Sequence, residues 1–193
     1  MTHRKIPTTR RPMNHPQVIV LGYSEAGMLL RKPGSANVQA IIAIHGQREF
    51  AVECDDIPHR LLLQFDDAES PRADDPIQTA RIQLRQREAN EFGLNLSPPT
   101  VEHAKAIIEF ANSIAGIEGT LLCQCQGGIS RSSAAALLCL ATWTGPGNEG
   151  YCVEHLLSVR PSVIPHCDLV AFGDEVLHRN RALVEFLRAQ RPF

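Results

Sequence analysis

Short apolar runs alternate with polar punctuation through the first two thirds of the chain, and helical spacing takes over after them. Gln17–Gly22 (QVIVLG) and Val38–Ile44 (VQAIIAI) are β-branched runs ended by Gly22 and by His45-Gly46, and both read as strands. Arg60–Phe65 (RLLLQF), stopped by Asp66-Asp67, is a third, and Thr120–Cys125 (TLLCQC), stopped by Gly127-Gly128, is a fourth. Runs this continuously apolar suit strands covered on both faces, as in a mostly parallel sheet. After Ser97-Pro98-Pro99-Thr100, the residues Val101, Ala104, Ile107, Ile108, Ala111, Ile114 and Ala115 recur at helical spacing, with Thr100 placed as N-cap. Ser132–Trp143 is almost wholly apolar and reads as a helix buried on most of its circumference, ended by Gly145-Pro146-Gly147. A helix over Asn148–Val159 and one last helix over Asp168–Ala189 complete the pattern, the latter with a buried stripe of Leu169, Phe172, Val176, Leu183, Val184 and Leu187. The expected fold is α/β, with a central, mostly parallel sheet of four to five strands flanked by helices.

The 193 residues suffice for one well-buried domain, placed at 17–193, and 44% apolar with 21% charged residues is an ordinary globular composition. Residues 1–16 carry Arg4, Lys5, Arg10 and Arg11 among three prolines and read as a flexible basic tail; an organelle presequence is the less favoured reading of the same stretch. The net charge of -2 gives no reason to expect nucleic acid or an anionic membrane as a partner, and no run approaches the roughly 20 apolar residues that span a bilayer. Six cysteines without a CxxC pair read as free thiols, which points to a reducing cytoplasm. No histidine pattern suggests a metal site. A monomer is expected.

Chemistry concentrates in Cys125-Gln126-Gly127-Gly128-Ile129-Ser130-Arg131-Ser132, set between a buried strand and a buried helix. A chain turning through two glycines into a helix can point successive N–H groups inward, where the helix dipole adds to them and makes a cradle for a tetrahedral oxyanion. Arg131 can present two parallel donors to two phosphate oxygens, which the point charge of a lysine cannot reproduce. These donors favour the thiolate of Cys125, a nucleophile placed for in-line attack on phosphorus. Ser132 can hydrogen-bond that thiolate when it later leaves.

The spacing resembles the signature H-C-x-x-G-x-x-R-S/T of the cysteine-based protein tyrosine phosphatases, with Gly128 on the motif glycine and Arg131 on the arginine. The stretch from Gly128 to Ala134 resembles most the compact dual-specificity branch and its bacterial relatives. Arg160-Pro161-Ser162-Val163-Ile164-Pro165 is similar to the family's R-P-x-x-x-P segment, and Phe65-Asp66-Asp67 to the strand end that carries its general acid. The resemblance implies a phosphomonoester hydrolase, protein tyrosine or dual-specificity in type, that works through a phosphocysteine. Cys125 is then the nucleophile, Asp67 the general acid and Ser132 the leaving-group hydroxyl, while Gln126, Gly127, Gly128, Ile129, Ser130 and Arg131 bind phosphate. No metal or organic cofactor is implied, and the expected partner is a phosphorylated protein or small phosphomonoester. Asp67 is preferred to Asp66 because the residue ending a strand is the one drawn into backbone capping; Asp74 and Asp75 are reserves. Gln124 stands where the family has His, His166 where it commonly has Asn, and Asp67 precedes Cys125 by an unusual distance that an insertion over Ala68–Asn95 accounts for. The alternative reading is a phosphate-binding module with the same loop and little turnover. Sulfur or arsenate chemistry on a similar loop is opposed by Ser132 and by the acid-bearing strand end.

Overall fold

The computed structural model describes residues 15–32, 37–71 and 74–190, so the expected basic tail lies, up to Asn14, outside the described residues. Its elements are β1 (Gln17–Gly22), α1 (Tyr23–Leu30), β2 (Val38–His45), β3 (His59–Gln64), α2 (Pro76–Glu91), α3 (Val101–Ser113), β4 (Thr120–Cys125), α4 (Arg131–Thr144), α5 (Glu149–Val159), α6 (Cys167–Val176) and α7 (Ala182–Gln190). The four strands pair in the order β1-β4-β2-β3 and every pairing is parallel. No described helix is long and apolar enough to cross a membrane.

Strand alternation divides the core in two. Val18, Val20, Ala40, Ile42, Ile44, Leu121 and Cys123 face the larger cluster, which is closed by apolar residues of α3, α4, α5, α6 and α7. Ile41, Ala43 and Leu122 point the other way, onto Ala26 of α1 and onto Val52, Cys54 and Ile57. Helix α4 is the centre of the thicker layer, buried without interruption from Arg131 to Ala141. Its Leu137, Leu138 and Leu140 are fully buried, each stabilising the fold by about 1.5–3 kcal/mol. Trp143 ties its end to α3 by donating from Nε1 to the Ala111 carbonyl at 2.8 Å. At the start of α3, the Thr100 amide donates to Nδ1 of His103 at 2.9 Å, so one orphan N–H of the helix terminus is satisfied by a side chain.

Helix α1 has no counterpart in the sequence reading, and two further elements differ from it. The single last helix is broken into α6 and α7, because His178, Asn180 and Arg181 hold left-handed φ angles of 55°, 51° and 68°. Asp174, only 2% exposed, stabilises the break by accepting from the Arg181 and Val184 amides. The segment Ala68–Asn95, expected as an insertion, contains α2, which has no buried residue and packs on no other element to any extent. Asp75 caps it by accepting from the Gln78 amide, with Pro76 in the first turn.

Candidate active site

All four strands run the same way, so the segments leaving their carboxyl ends converge on one edge of the sheet, where parallel α/β folds bind ligands. Those segments are Gly22-Tyr23 after β1, Gly46–Phe50 after β2, Phe65–Ser70 after β3 and Gln126–Ser130 after β4. The register places Gly22 directly opposite Cys125. Close approach there depends on glycine. Gly128 has φ 66°, and a Cβ on it would lie 2.4 Å from the Gly22 nitrogen and 2.5 Å from the Leu21 carbonyl carbon.

The loop carbonyls are turned outward. That of Gln126 accepts from the Tyr23 amide, that of Ile129 from the Ile164 amide and Ser133 Oγ, and that of Ser130 from the His166 and Ala134 amides. Among the described residues, no protein acceptor takes the amides of Gln126, Gly127, Gly128, Ile129 or Ser130. A run of unpaired N–H groups entering the N-terminus of α4 is an anion-binding nest.

Cys125 lies at its base, 2% exposed, with Sγ 3.1 Å from Oγ of the fully buried Ser132. Gln124 donates from Nε2 to the Cys125 carbonyl at 2.8 Å, which orders the strand end. Cys123 shares the strand face of Cys125, and burial together with Cys139 pushes its thiol well above the ordinary range, which leaves it protonated and unreactive.

Arg131 is buried too, at 2% exposure. Its Nη1 and Nη2 grip the two carboxylate oxygens of Glu49 at 2.7 and 2.8 Å, and Nη1 also donates to the Phe65 carbonyl at 3.1 Å. Nε has no partner. The Nε–H and the remaining Nη2–H are parallel on the other edge of the guanidinium, so a two-donor fork stays available for two oxygens of a ligand. Burial opposes the charge of Arg131, but Glu49 outweighs it, with Cys125 and Asp67 adding to the effect, and the guanidinium pKa is held above its ordinary value.

Glu49 is the residue that sequence reasoning missed. It lies 82 positions from Arg131, and only the convergence of the β2 and β4 ends brings the two together. Burial alone would raise its carboxyl, and the hydrogen bonds from Arg131 and the Gly46 amide overcome this and hold it below the ordinary 4.5. Because the folded carboxyl ionises at lower pH than the unfolded one, this pair's stabilisation is complete above about 4.5 and is lost as pH falls through the lower folded value. Glu49→Gln is therefore expected to lower stability at neutral pH by about 1 kcal/mol, at the low end for a buried pair because the carboxylate is partly solvated. The gap in thermal midpoint between variant and wild type should close in acid. A gap that stays constant down to pH 3 would show that the charge of Glu49 contributes nothing to the fold.

The two aspartates after β3 behave differently. Asp66 accepts from the Gln47 amide at 3.0 Å and the Ser97 amide at 2.8 Å, so both its oxygens cap backbone. Asp67 is half exposed and accepts from Ser130 Oγ at 2.7 Å, which sets it beside the cradle. Asp75 caps α2, as above. The structure thus brings Cys125, Ser132, Arg131, Ser130 and Asp67 into one site with the glycine turn. A concavity of about 420 Å³ between α6 and α7, lined by Phe172, Glu175, His178 and Arg181 among others, includes none of these residues.

No protein-family model and no curated protein matches the sequence. Solved structures do match the fold. A human tyrosine phosphatase-like serine/threonine/tyrosine-interacting protein aligns over 88% of this chain and 96% of its own, at 16% identity and a TM-score of 0.56. Tk-PTP in its active form aligns over 88% of this chain and 99% of its own, at 13% identity and a TM-score of 0.51. With its parallel four-stranded sheet and its flanking helices, the chain shares the α/β fold of these phosphatase-like structures.

Proposed function

We propose that the protein hydrolyses phosphomonoesters, as a protein tyrosine or dual-specificity phosphatase, through a phosphocysteine intermediate. One observation carries this reading: among the described residues, five loop amides without a protein acceptor and a buried arginine with an unpartnered Nε–H follow directly on a cysteine paired with a serine hydroxyl. Such preorganised donors stabilise charge on the equatorial oxygens of a phosphoryl group in transfer. The Cys125 thiolate forms the S–P bond as the P–O bond of the ester breaks, and Asp67 gives its proton to the departing oxygen. Asp67, now a carboxylate, takes a proton from a water that attacks phosphorus. The S–P bond then breaks, phosphate leaves, and Ser132 hydrogen-bonds the returning thiolate.

The proposed substrate is a phosphorylated protein or a small phosphomonoester, and the proposed compartment is the cytoplasm. No step needs a metal or organic cofactor. Hydrolysis of an aryl phosphate should proceed in the presence of a chelator and be blocked by vanadate, whose oxyanion fits the cradle as the pentacoordinate state does. Loss of activity on chelation, restored by added metal, would overturn the mechanism. The Gln124 side chain, with Oε1 buried and unpartnered where the family has His, favours the second reading of a phosphate-binding module with little turnover. In that case vanadate and phosphate bind and no ester is cleaved.

A further inference from the structure

Beyond Asp66, whose carboxylate caps the Gln47 and Ser97 amides, the acid-bearing segment has little to hold it from its own side. Asp67 leads through Ser70 into α2, a helix with no buried residue, and Gln78 reaches back only to the exposed Glu69 at 2.8 Å. From the opposite side, the first turn of α6 takes hold of the segment twice. His166, with its side chain 4% exposed, donates from Nε2 to the Ala68 carbonyl at 3.0 Å, and Asp168, 5% exposed, accepts from the Ser70 amide at 2.6 Å. The His166 amide meanwhile donates to the Ser130 carbonyl at 3.2 Å, so a single residue clasps both the phosphate loop and the acid segment. Its imidazole Nε2 is 3.8 Å from Asp67 Oδ1, and Ser130 Oγ completes the circuit by donating to that same oxygen.

We infer that His166 and Asp168 form a latch that fixes Asp67 at the mouth of the phosphate cradle, as positioning residues for proton donation to the leaving group. The inference rests on the phosphatase reading above. A purely structural role would lower both substrate classes alike when disturbed. A latch acts on proton donation alone, so its loss is felt in proportion to how much the leaving group needs a proton. Neither residue touches the cradle's free amides or the Arg131 fork, so anion binding is left as it was.

The test compares kcat/KM for two aryl phosphates, one with an acidic phenol as leaving group and one with an ordinary phenol, in wild type, His166→Ala, His166→Gln, Asp168→Ala and Asp168→Asn. Vanadate affinity and amide hydrogen exchange over residues 66–70 are measured on the same proteins. The alanine variants should lose about tenfold more activity on the poor leaving group than on the good one, a part of the roughly 10²–10⁴ that a general acid supplies. Vanadate affinity should hold, and exchange at Ser70 should quicken. Gln, which restores an N–H donor, and Asn, which restores an acceptor, should recover most of the loss. Equal loss on both substrates in an active enzyme, or unchanged exchange at Ser70, would overturn the latch. A wild type inert toward both esters would instead overturn the phosphatase reading and, with it, the catalytic role of the latch.

Discussion

Cys125→Ser is expected to lower turnover of an aryl phosphate by about 10⁴-fold or more while leaving phosphate binding intact. The substitution swaps sulfur for an alcohol oxygen, a weaker nucleophile that, once phosphorylated, makes a far poorer leaving group. Apart from Ser132 Oγ, which pairs with the sulfur, and Arg131, whose charge Cys125 helps to favour, the site is held without it. The loop carbonyls are held by Tyr23, Ile164, His166 and Ser133, and the Arg131 fork by Glu49. The serine hydroxyl can still pair with Ser132, so the buried position gains no orphaned polar group. With the loop amides and Arg131 left in place, affinity for phosphate should hold. The check is steady-state hydrolysis alongside titration calorimetry with phosphate or vanadate. Residual turnover near the wild-type rate would place the nucleophile elsewhere.

Gly128→Ala is the other large effect. The position has φ 66°, which an L side chain adopts at a cost of about 1–2 kcal/mol. The added Cβ would lie at 2.4–2.9 Å from the Gly22 nitrogen and from the Leu21 carbonyl carbon and oxygen. These are backbone atoms of β1, fixed by the pairing of Leu21 with Gln124 and of Gly22 with Cys125, so they cannot yield as a side chain would. Overpacking of this kind adds about 1–3 kcal/mol, and relief requires the loop to lift away from β1. Denaturant unfolding should register a loss of about 2–5 kcal/mol, and vanadate affinity should collapse because the amides no longer converge. Gly127→Ala provides the contrast in stability. Its Cβ would meet only Ile129, no closer than 3.7 Å, so its unfolding midpoint should stay close to wild type. Equal stability for the two variants would show that the loop does not press on β1 as described.

The strands and the cradle were legible in the sequence because each is a local signal. Apolar runs bounded by glycine or aspartate mark β1 to β4, and glycines between a buried strand and a buried helix mark the turn. The capping place of Asp66 was also legible, since the carboxylate next to a strand end finds loose amides first. Other elements were silent for stated reasons. Helix α1 buries only Ala26, too little to write a periodicity. Helix α2 has no apolar face to read, and its signals are the Asp75 cap and a run of good helix formers. The α6–α7 break interrupts an apolar stripe that looks continuous, without a glycine or proline to mark it; the cause is a buried aspartate collecting amides. Glu49, His166 and Asp168 depend on which chain ends meet in space. A buried arginine demands a carboxylate partner, and the loop after a neighbouring parallel strand is where to seek one.

The central claim, that Cys125 carries the phosphoryl group, is tested most directly by rapid acid quench of the enzyme during turnover of an aryl phosphate, followed by peptide mass analysis. The account predicts one phosphoryl group on the peptide that contains Cys125, lost on replacement by serine and increased by Asp67→Asn, which slows hydrolysis of the intermediate. A phosphoryl group on any other residue, or phosphate binding with neither turnover nor adduct, would contradict it.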